Sequence, residues 1–305
     1  MNPFRTSLFL SAALLLAGCA GSGGGGERPT PFADIHTHYN WNQAEITEPE
    51  EVTAAFERHN VSLAVVVAEP SENALKIPST ETTTVVPLFS PYIRPGIRPR
   101  WHLDERVLEE ARAGLAAGEY QGIGEVHIGG SGFGPDNGNF AGLLALAAEF
   151  DVPVLLHVEA GSADYAMEIC GDHPDVEFLW AHAGGILGPD EVRRAVAACD
   201  NLWVEFSARD PWHYGRLADA GPEGKTLRDG WEALIADYPD RFMTGTDPVA
   251  NAHETYRWHE ANDGWSMYDD IMAFHRGWLD QLPDDLARRV RLTNAHRFFD
   301  VPLPE

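Results

Sequence analysis

Positive charge is scarce in this chain. Of its 305 residues 22 are basic and 47 acidic, a formal charge of −25, and the only lysines are Lys76 and Lys225. Such a balance excludes nucleic acid as the expected partner, because phosphate binding needs clustered basic side chains. The acidity favours solubility and names no substrate. Cysteine is nearly as rare. Cys19, Cys170 and Cys199 have no zinc-motif spacing, so no thiolate metal site is expected. Cys170 and Cys199 fall in successive predicted helices, where two separately packed thiols are expected; a disulfide in an oxidising compartment is the alternative. No Gly-x-Gly-x-x-Gly follows the first predicted strand, which leaves a doubly wound sheet without support. The apolar run 8–17 is too short to span a bilayer, and no spanning helix is expected elsewhere.

What the chain does have is regular alternation. Apolar runs rich in Val, Leu and Ile at 32–38, 61–67, 84–90, 121–127, 152–158, 176–181, 202–206 and 241–246 predict eight strands buried on both faces of a parallel sheet. Between and after them, apolar residues at three- and four-residue spacing predict helices over 105–117, 140–150, 162–170, 189–199, 227–238, 265–282, 284–290 and 294–299. Eight strand–helix repeats in one chain of this length point to an α/β fold, a single (β/α)8 TIM barrel.

Five of the runs end in residues that bind divalent metal. They are Asp34-Ile35-His36-Thr37-His38, Gly124-Glu125, Leu156-His157, Ala181-His182 and Gly245-Thr246-Asp247. Period two lets His36 and His38 reach one ion from a single strand. The other ligands arrive from other strands, whose carboxyl ends converge on one rim of a barrel. Imidazole and carboxylate donors in one pocket suit zinc or another divalent first-row ion. Each residue alone is a weak signal; their joint placement is the strong one.

The ordered set Asp34-x-His36-x-His38, Gly124-Glu125-Val126-His127, His157, His182-Ala183-Gly184 and Gly245-Thr246-Asp247 resembles the amidohydrolase superfamily, in its amidohydrolase-related (type 2) branch. Val86-Pro87-Leu88-Phe89-Ser90, Asp240-Arg241-Phe242-Met243 and Asn294-Ala295-x-x-Phe298-Phe299 extend the resemblance over nearly all of 32–300. It implies that His36, His38 and Asp247 hold a first ion, and that His157 and His182 hold a second. In a one-metal site His182 would instead polarise the substrate. Many relatives place a carboxylated lysine where Glu125 stands, and neither lysine of this chain ends the fourth strand. A glutamate there resembles the TatD-like pattern, in which it bridges two ions; orienting a histidine from behind is the alternative.

The resemblance implies a metal-dependent hydrolase with one or two divalent ions, zinc foremost. The ion lowers the pKa of its bound water to about 7. Hydroxide then attacks a lactone, ester, amide or phosphoester; Asp247 takes the proton, and His182 helps to stabilise the developing negative charge. The competing readings are a metal-dependent decarboxylase of the same superfamily and a non-catalytic solute-binding lipoprotein. Decarboxylating relatives generally lack an acid at the Glu125 position, and a complete ligand set disfavours mere binding.

Substrate choice is expected on the rim loops. There Arg94 and Arg209 are candidates to hold a substrate carboxylate or phosphate, with pairing to a surface acid as the bland alternative. Tyr92, Arg98, Trp101, Trp212, His213, Tyr214, His253 and Trp258 lie in the same loops, and His127 shares a face with Glu125.

Residues 1–18 resemble a bacterial lipoprotein signal peptide that closes on Leu16-Ala17-Gly18-Cys19. This implies cleavage before Cys19 and acylation of its thiol. Residues 19–31 would then form a glycine-rich tether, and 32–305 the barrel. The expected place is the cell envelope, at the periplasmic face of the outer membrane. The membrane is met only through the anchor, the other partner is a small-molecule substrate, and a homo-oligomer is left open.

Overall fold

The second strand shows how the continuous apolar runs are used. Leu63, Val65 and Val67 join an inner cluster with Ala33, Ile35, Leu155, Leu179 and Met243, whereas Ala64 and Val66 join an outer cluster with Phe56, Trp180 and Val204. Successive strand side chains point to opposite faces, so a strand covered on both sides must be apolar throughout. Each aliphatic side chain buried in this way contributes about 1.5–3 kcal/mol.

The computed structural model describes residues 28–129, 134, 136–158, 163–215, 217–219, 226–250, 257 and 259–304. The signal peptide, Cys19, most of the tether, His253 and Trp258 lie outside these residues. Strands β1 (Phe32–His38), β2 (Val61–Val67) and β3 (Thr84–Pro87) form one parallel sheet. A second parallel sheet contains β4 (Ile123–Ile128), β5 (Val154–Val158), β6 (Phe178–Trp180), β7 (Leu202–Glu205) and a last strand, β10 (Phe242–Met243). A small antiparallel pair, β8 (Ala218–Asp219) and β9 (Thr226–Leu227), precedes β10 and was not expected.

The two parallel sheets meet at both edges. Phe89 makes a parallel bridge to Ile123. At the other edge Ile35 N–H donates to Thr244 O (3.1 Å), and Asp247 N–H donates to His36 O (2.7 Å). The eight expected strands are all present, several of them shorter than the apolar runs. β10 stops at Met243 because Asp34 takes over from the ladder: its carboxylate accepts from Thr246 N–H (2.9 Å) and Thr246 Oγ1 (2.7 Å). β6 stops at Trp180 because the next residues turn left-handed.

The helices α1 (Pro49–Arg58), α2 (Arg106–Ala116), α3 (Gly138–Phe150), α4 (Ala163–Asp172), α5 (Pro189–Ala198) and α6 (Trp231–Asp237) alternate with the strands. Pro49 opens α1 behind a reciprocal Glu48–Glu51 cap, and Asn137 caps α3 through Asn139 N–H and Phe140 N–H. After β10 come α7 (Tyr268–Leu279), α8 (Asp284–Arg288), a π turn and α9 (Asn294–Phe298). This tail covers the amino-terminal strand ends. Leu292 and Ala295 enter the inner cluster, Asn294 donates to Phe242 O (2.8 Å), and His296 meets Ser62 Oγ at 2.9 Å. Among the described residues no helix is long and apolar enough to cross a membrane.

Cys170 and Cys199 correct one expectation: they are bonded to each other, with Cα atoms 6.1 Å apart. The sequence could place each in a helix, but not the packing of α4 on α5 that brings them within disulfide reach. The 29-residue separation makes reduction cost about 3–4 kcal/mol by loop entropy. Urea unfolding with and without a reductant should differ by that amount.

Candidate metal centre

Three short-range groups of buried donors share members: His36, His182 and Asp247; His36, His38 and Glu125; and Glu125, His157 and His182. All six side chains expected as ligands therefore converge, although they come from five strand ends separated by up to 211 residues of chain. Within each group the donor atoms lie within 4.8 Å of one another.

Glu125 stands between two pairs of imidazoles. Its Oε1 lies 2.7 Å from His157 Nδ1 and 3.2 Å from His182 Nε2. Its Oε2 lies 3.4 Å from His38 Nε2 and 3.6 Å from His36 Nε2. Burial alone would push this carboxyl up, but the surrounding imidazoles, His127 and His36 foremost, hold it well below its ordinary range. His36 and His38 bring their Nε2 atoms to 3.1 Å. In a tetrahedral zinc site with bonds of ~2.0–2.1 Å, ligand atoms sit about 3.3 Å apart, so this spacing suits a shared ion. Asp247 Oδ1 is buried without a hydrogen-bond partner, 3.3 Å from His38 Nε2. The donor set and this orphaned oxygen fit one or two divalent cations.

Local backbone aims several of these donors. Gly245 has to be glycine, since a Cβ there would meet His36 Cβ at 2.8 Å and Glu205 Oε2 at 3.0 Å. Asp247 has φ 50°, and the turn that carries it is pinned where Asp34 binds Thr246; Tyr268 donates to the same carboxylate at 2.9 Å. Burial raises the Asp34 carboxyl to about 7. His182 and Ala183 have φ 58° and 46°, a left-handed stretch that costs ~1–3 kcal/mol per residue and needs support.

That support is Arg209, and it corrects another expectation. Arg209 is fully buried and donates to His182 O (2.7 Å), Ala183 O (2.6 Å) and Leu187 O (2.8 Å), with its guanidinium 4.9 Å from the Trp231 ring centroid. It braces the His182 turn from beneath and presents nothing to a substrate. Arg94 is half-exposed and pairs with Asp104 at 3.5 Å, the bland alternative. The arginine beside the cluster is Arg98. Its Nη1 lies 3.3 Å from His127 Nε2, its Nε lies 3.6 Å from Glu69, and its guanidinium sits over Tyr92 at 4.7 Å. His127 Nε2 is in turn 3.1 Å from Glu125 Oε2, and its ring stacks on His157 with centroids 4.0 Å apart.

Two polar residues escaped the sequence reading. Glu205, at the end of β7, is fully buried and lies 2.9 Å from His36 Nδ1. Ser207 Oγ lies 2.8 Å from His182 Nδ1. A signal existed: Glu205 and Ser207 are two residues apart at a strand end, hence on one face. Neither is flanked by the histidines that drew attention elsewhere.

The amidohydrolase family model matches residues 33–301. No curated protein matches the chain. Among solved structures, a TatD homologue from Escherichia coli K12 is similar at 18% identity and a TM-score of 0.58, over 89% of this chain and 98% of that one. A probable 2-pyrone-4,6-dicarboxylic acid hydrolase from Acinetobacter baumannii is 13% identical with a TM-score of 0.57, over 88% and 99%. A 5-carboxyvanillate decarboxylase from Novosphingobium aromaticivorans, complexed with manganese, is 12% identical with a TM-score of 0.50, over 88% and 96%. At these identities the likeness is one of fold.

Proposed function

This chain belongs to the amidohydrolase family, and on that premise we propose that it is a metal-dependent hydrolase acting on a lactone, ester, amide or phosphoester. The observation that carries the reading is the convergence of His36, His38, Glu125, His157, His182 and Asp247 at the carboxyl ends of their strands. We read the eight parallel strands, joined at both sheet edges, as a closed (β/α)8 barrel with this cluster at its mouth.

One or two divalent ions, zinc foremost, would supply acidified water and draw electron density from the attacked carbonyl or phosphoryl oxygen. The chain's own residues do the rest. Burial pushes the Asp247 carboxyl up, but His36, His38 and His182 outweigh it and hold the group below its usual value, ionised at neutral pH. Of its two oxygens, the one that does not hold the cation is the acceptor for the water proton. His182 faces the same space with its ring orientation set from behind, and would hold a cation together with Glu125 and His157. Glu125 holds the two imidazole pairs at their separation.

Arg98 is assigned the role first considered for Arg94 and Arg209. With His127 between it and Glu125, its guanidinium stands two short contacts, 3.3 Å and 3.1 Å, from the ligand set. A substrate whose carboxylate lies a few bonds from the scissile carbonyl spans that gap. Losing one charge-assisted contact costs ~1.5–3 kcal/mol. Arg98→Met should therefore raise KM for a carboxylated substrate about 10–100-fold and leave a neutral analogue nearly unchanged; equal loss on both would refute the assignment.

The deciding experiment pairs metal quantification of the purified protein with a panel of lactones, esters, amides and phosphoesters. Zinc or manganese content with turnover on that panel supports the reading. Release of CO₂ from aromatic 2-hydroxy acids, with no hydrolysis, would replace it with a decarboxylase, and a protein that binds no divalent ion would leave only a solute-binding role. Export and anchoring through Cys19 belong to the proposal as well, supported by the lipobox-like sequence alone.

A further inference from the structure

We infer that Glu205 is a positioning residue that sets the ring-proton position of two ligand histidines at once, His36 directly and His182 through Ser207. The inference rests on the metal-site reading above.

The Glu205 carboxylate collects donors from every side. Oε1 lies 2.9 Å from His36 Nδ1, and it accepts from His182 N–H at 2.9 Å and from Ser207 Oγ at 2.8 Å. Oε2 accepts from Ser207 N–H at 2.5 Å. An ionised carboxylate can only accept, so His36 has to present Nδ1–H to it. The lone pair of His36 is then on Nε2, the atom that faces His38 and Glu125.

Ser207 passes the same instruction on. Its hydroxyl proton is committed to Glu205, which leaves its oxygen as an acceptor. That oxygen lies 2.8 Å from His182 Nδ1, and the Ser207 carbonyl, also only an acceptor, lies 3.3 Å from the same atom. His182 therefore carries its proton on Nδ1 and turns its Nε2 lone pair toward Glu125 and His157, at 3.2 and 3.1 Å. A buried carboxylate from β7 thus decides which nitrogen two other strand ends offer to a cation. The arrangement joins a carboxylate–histidine pair to a carboxylate–serine–histidine relay, and such partners fix ring orientation and raise ligand basicity.

The relay predicts unequal effects. Glu205→Gln places an amide N–H₂ among groups that are all donors and disturbs both rings. Ser207→Ala removes the link to His182 and a longer 3.1 Å contact of Ser207 Oγ with His36 Nδ1, but leaves the 2.9 Å Glu205–His36 pair in place. Outer partners of this kind are worth about 10–100-fold in metal affinity, so Glu205→Gln should weaken zinc binding by that factor in a chelator competition, and Ser207→Ala by less. In the zinc-loaded protein, ¹⁵N-resolved imidazole spectra should show His36 and His182 as Nδ1–H rings. Glu205→Gln should alter both signals, and Ser207→Ala that of His182 far more than that of His36, which keeps its carboxylate partner.

Wild-type affinity in a folded Glu205→Gln variant, or weakened affinity with both ring patterns unchanged, would overturn the inference. If Glu205→Gln does not fold, Ser207→Ala decides the matter alone: a larger change at His182 than at His36 supports the relay, and equal changes or none overturn it. A wild-type protein that takes up no zinc or manganese overturns the metal-site reading instead, so the two failures are distinguishable.

Discussion

Asp247→Asn is expected to fold like the wild type while turning over about 10²–10⁴-fold more slowly, the range for loss of a positioned general base. The substitution is well matched to the site. Asn tolerates left-handed backbone better than most residues, which matters at φ 50°. The turn is held by groups the change does not touch: Asp247 N–H to His36 O, and Thr246 on the Asp34 carboxylate. Oδ1 has no hydrogen bond to lose. What disappears is the capacity to take a proton. Steady-state kcat, read beside the melting temperature and zinc content, isolates that loss; near wild-type turnover would remove Asp247 from the mechanism.

Glu125→Gln should be the most damaging change to metal content. Both carboxylate oxygens face imidazole nitrogens, at 2.7 and 3.2 Å on one side and 3.4 and 3.6 Å on the other. An amide supplies no negative charge and turns one of these oxygens into a donor, against lone pairs that should meet a cation. The two donor groups that contain Glu125 share no histidine: His36 and His38 lie on one side, His157 and His182 on the other. Elemental analysis after dialysis is expected to find two ions per wild-type chain and no more than one in the variant, with kcat/KM lowered at least about 10–100-fold. One ion in both proteins would assign Glu125 to orienting His157 instead.

The sequence indicated which six donor side chains would meet because strand ends have little freedom. An apolar run that ends in His157 or Asp247 places that residue at a rim, whatever the loops do. Reach and direction were less legible. Arg209 follows β7 by only a few residues, yet its side chain turns under the His182 loop, where the carbonyls of left-handed His182 and Ala183, and that of Leu187, accept from it. Nothing in local spacing reports such a turn. Arg98 was visible among the rim arginines, but its claim rests on Tyr92 of its own loop and on Glu69 and His127, which come from two other places in the chain. The Cys170–Cys199 bond depends likewise on how two helices pack. The short hairpin of β8 and β9 has too little periodicity to announce itself.

The carboxy-terminal tail has a kinetic consequence. Leu292 and Ala295 plug the end of the strand array opposite the ligands, and the interior between is filled by Ala33, Ile35, Leu155 and Met243. On the barrel and hydrolase reading proposed above, incoming and departing molecules share the rim that carries the donors and must take it in turn. A product slow to vacate would obstruct its successor, and would register in progress curves as competitive inhibition.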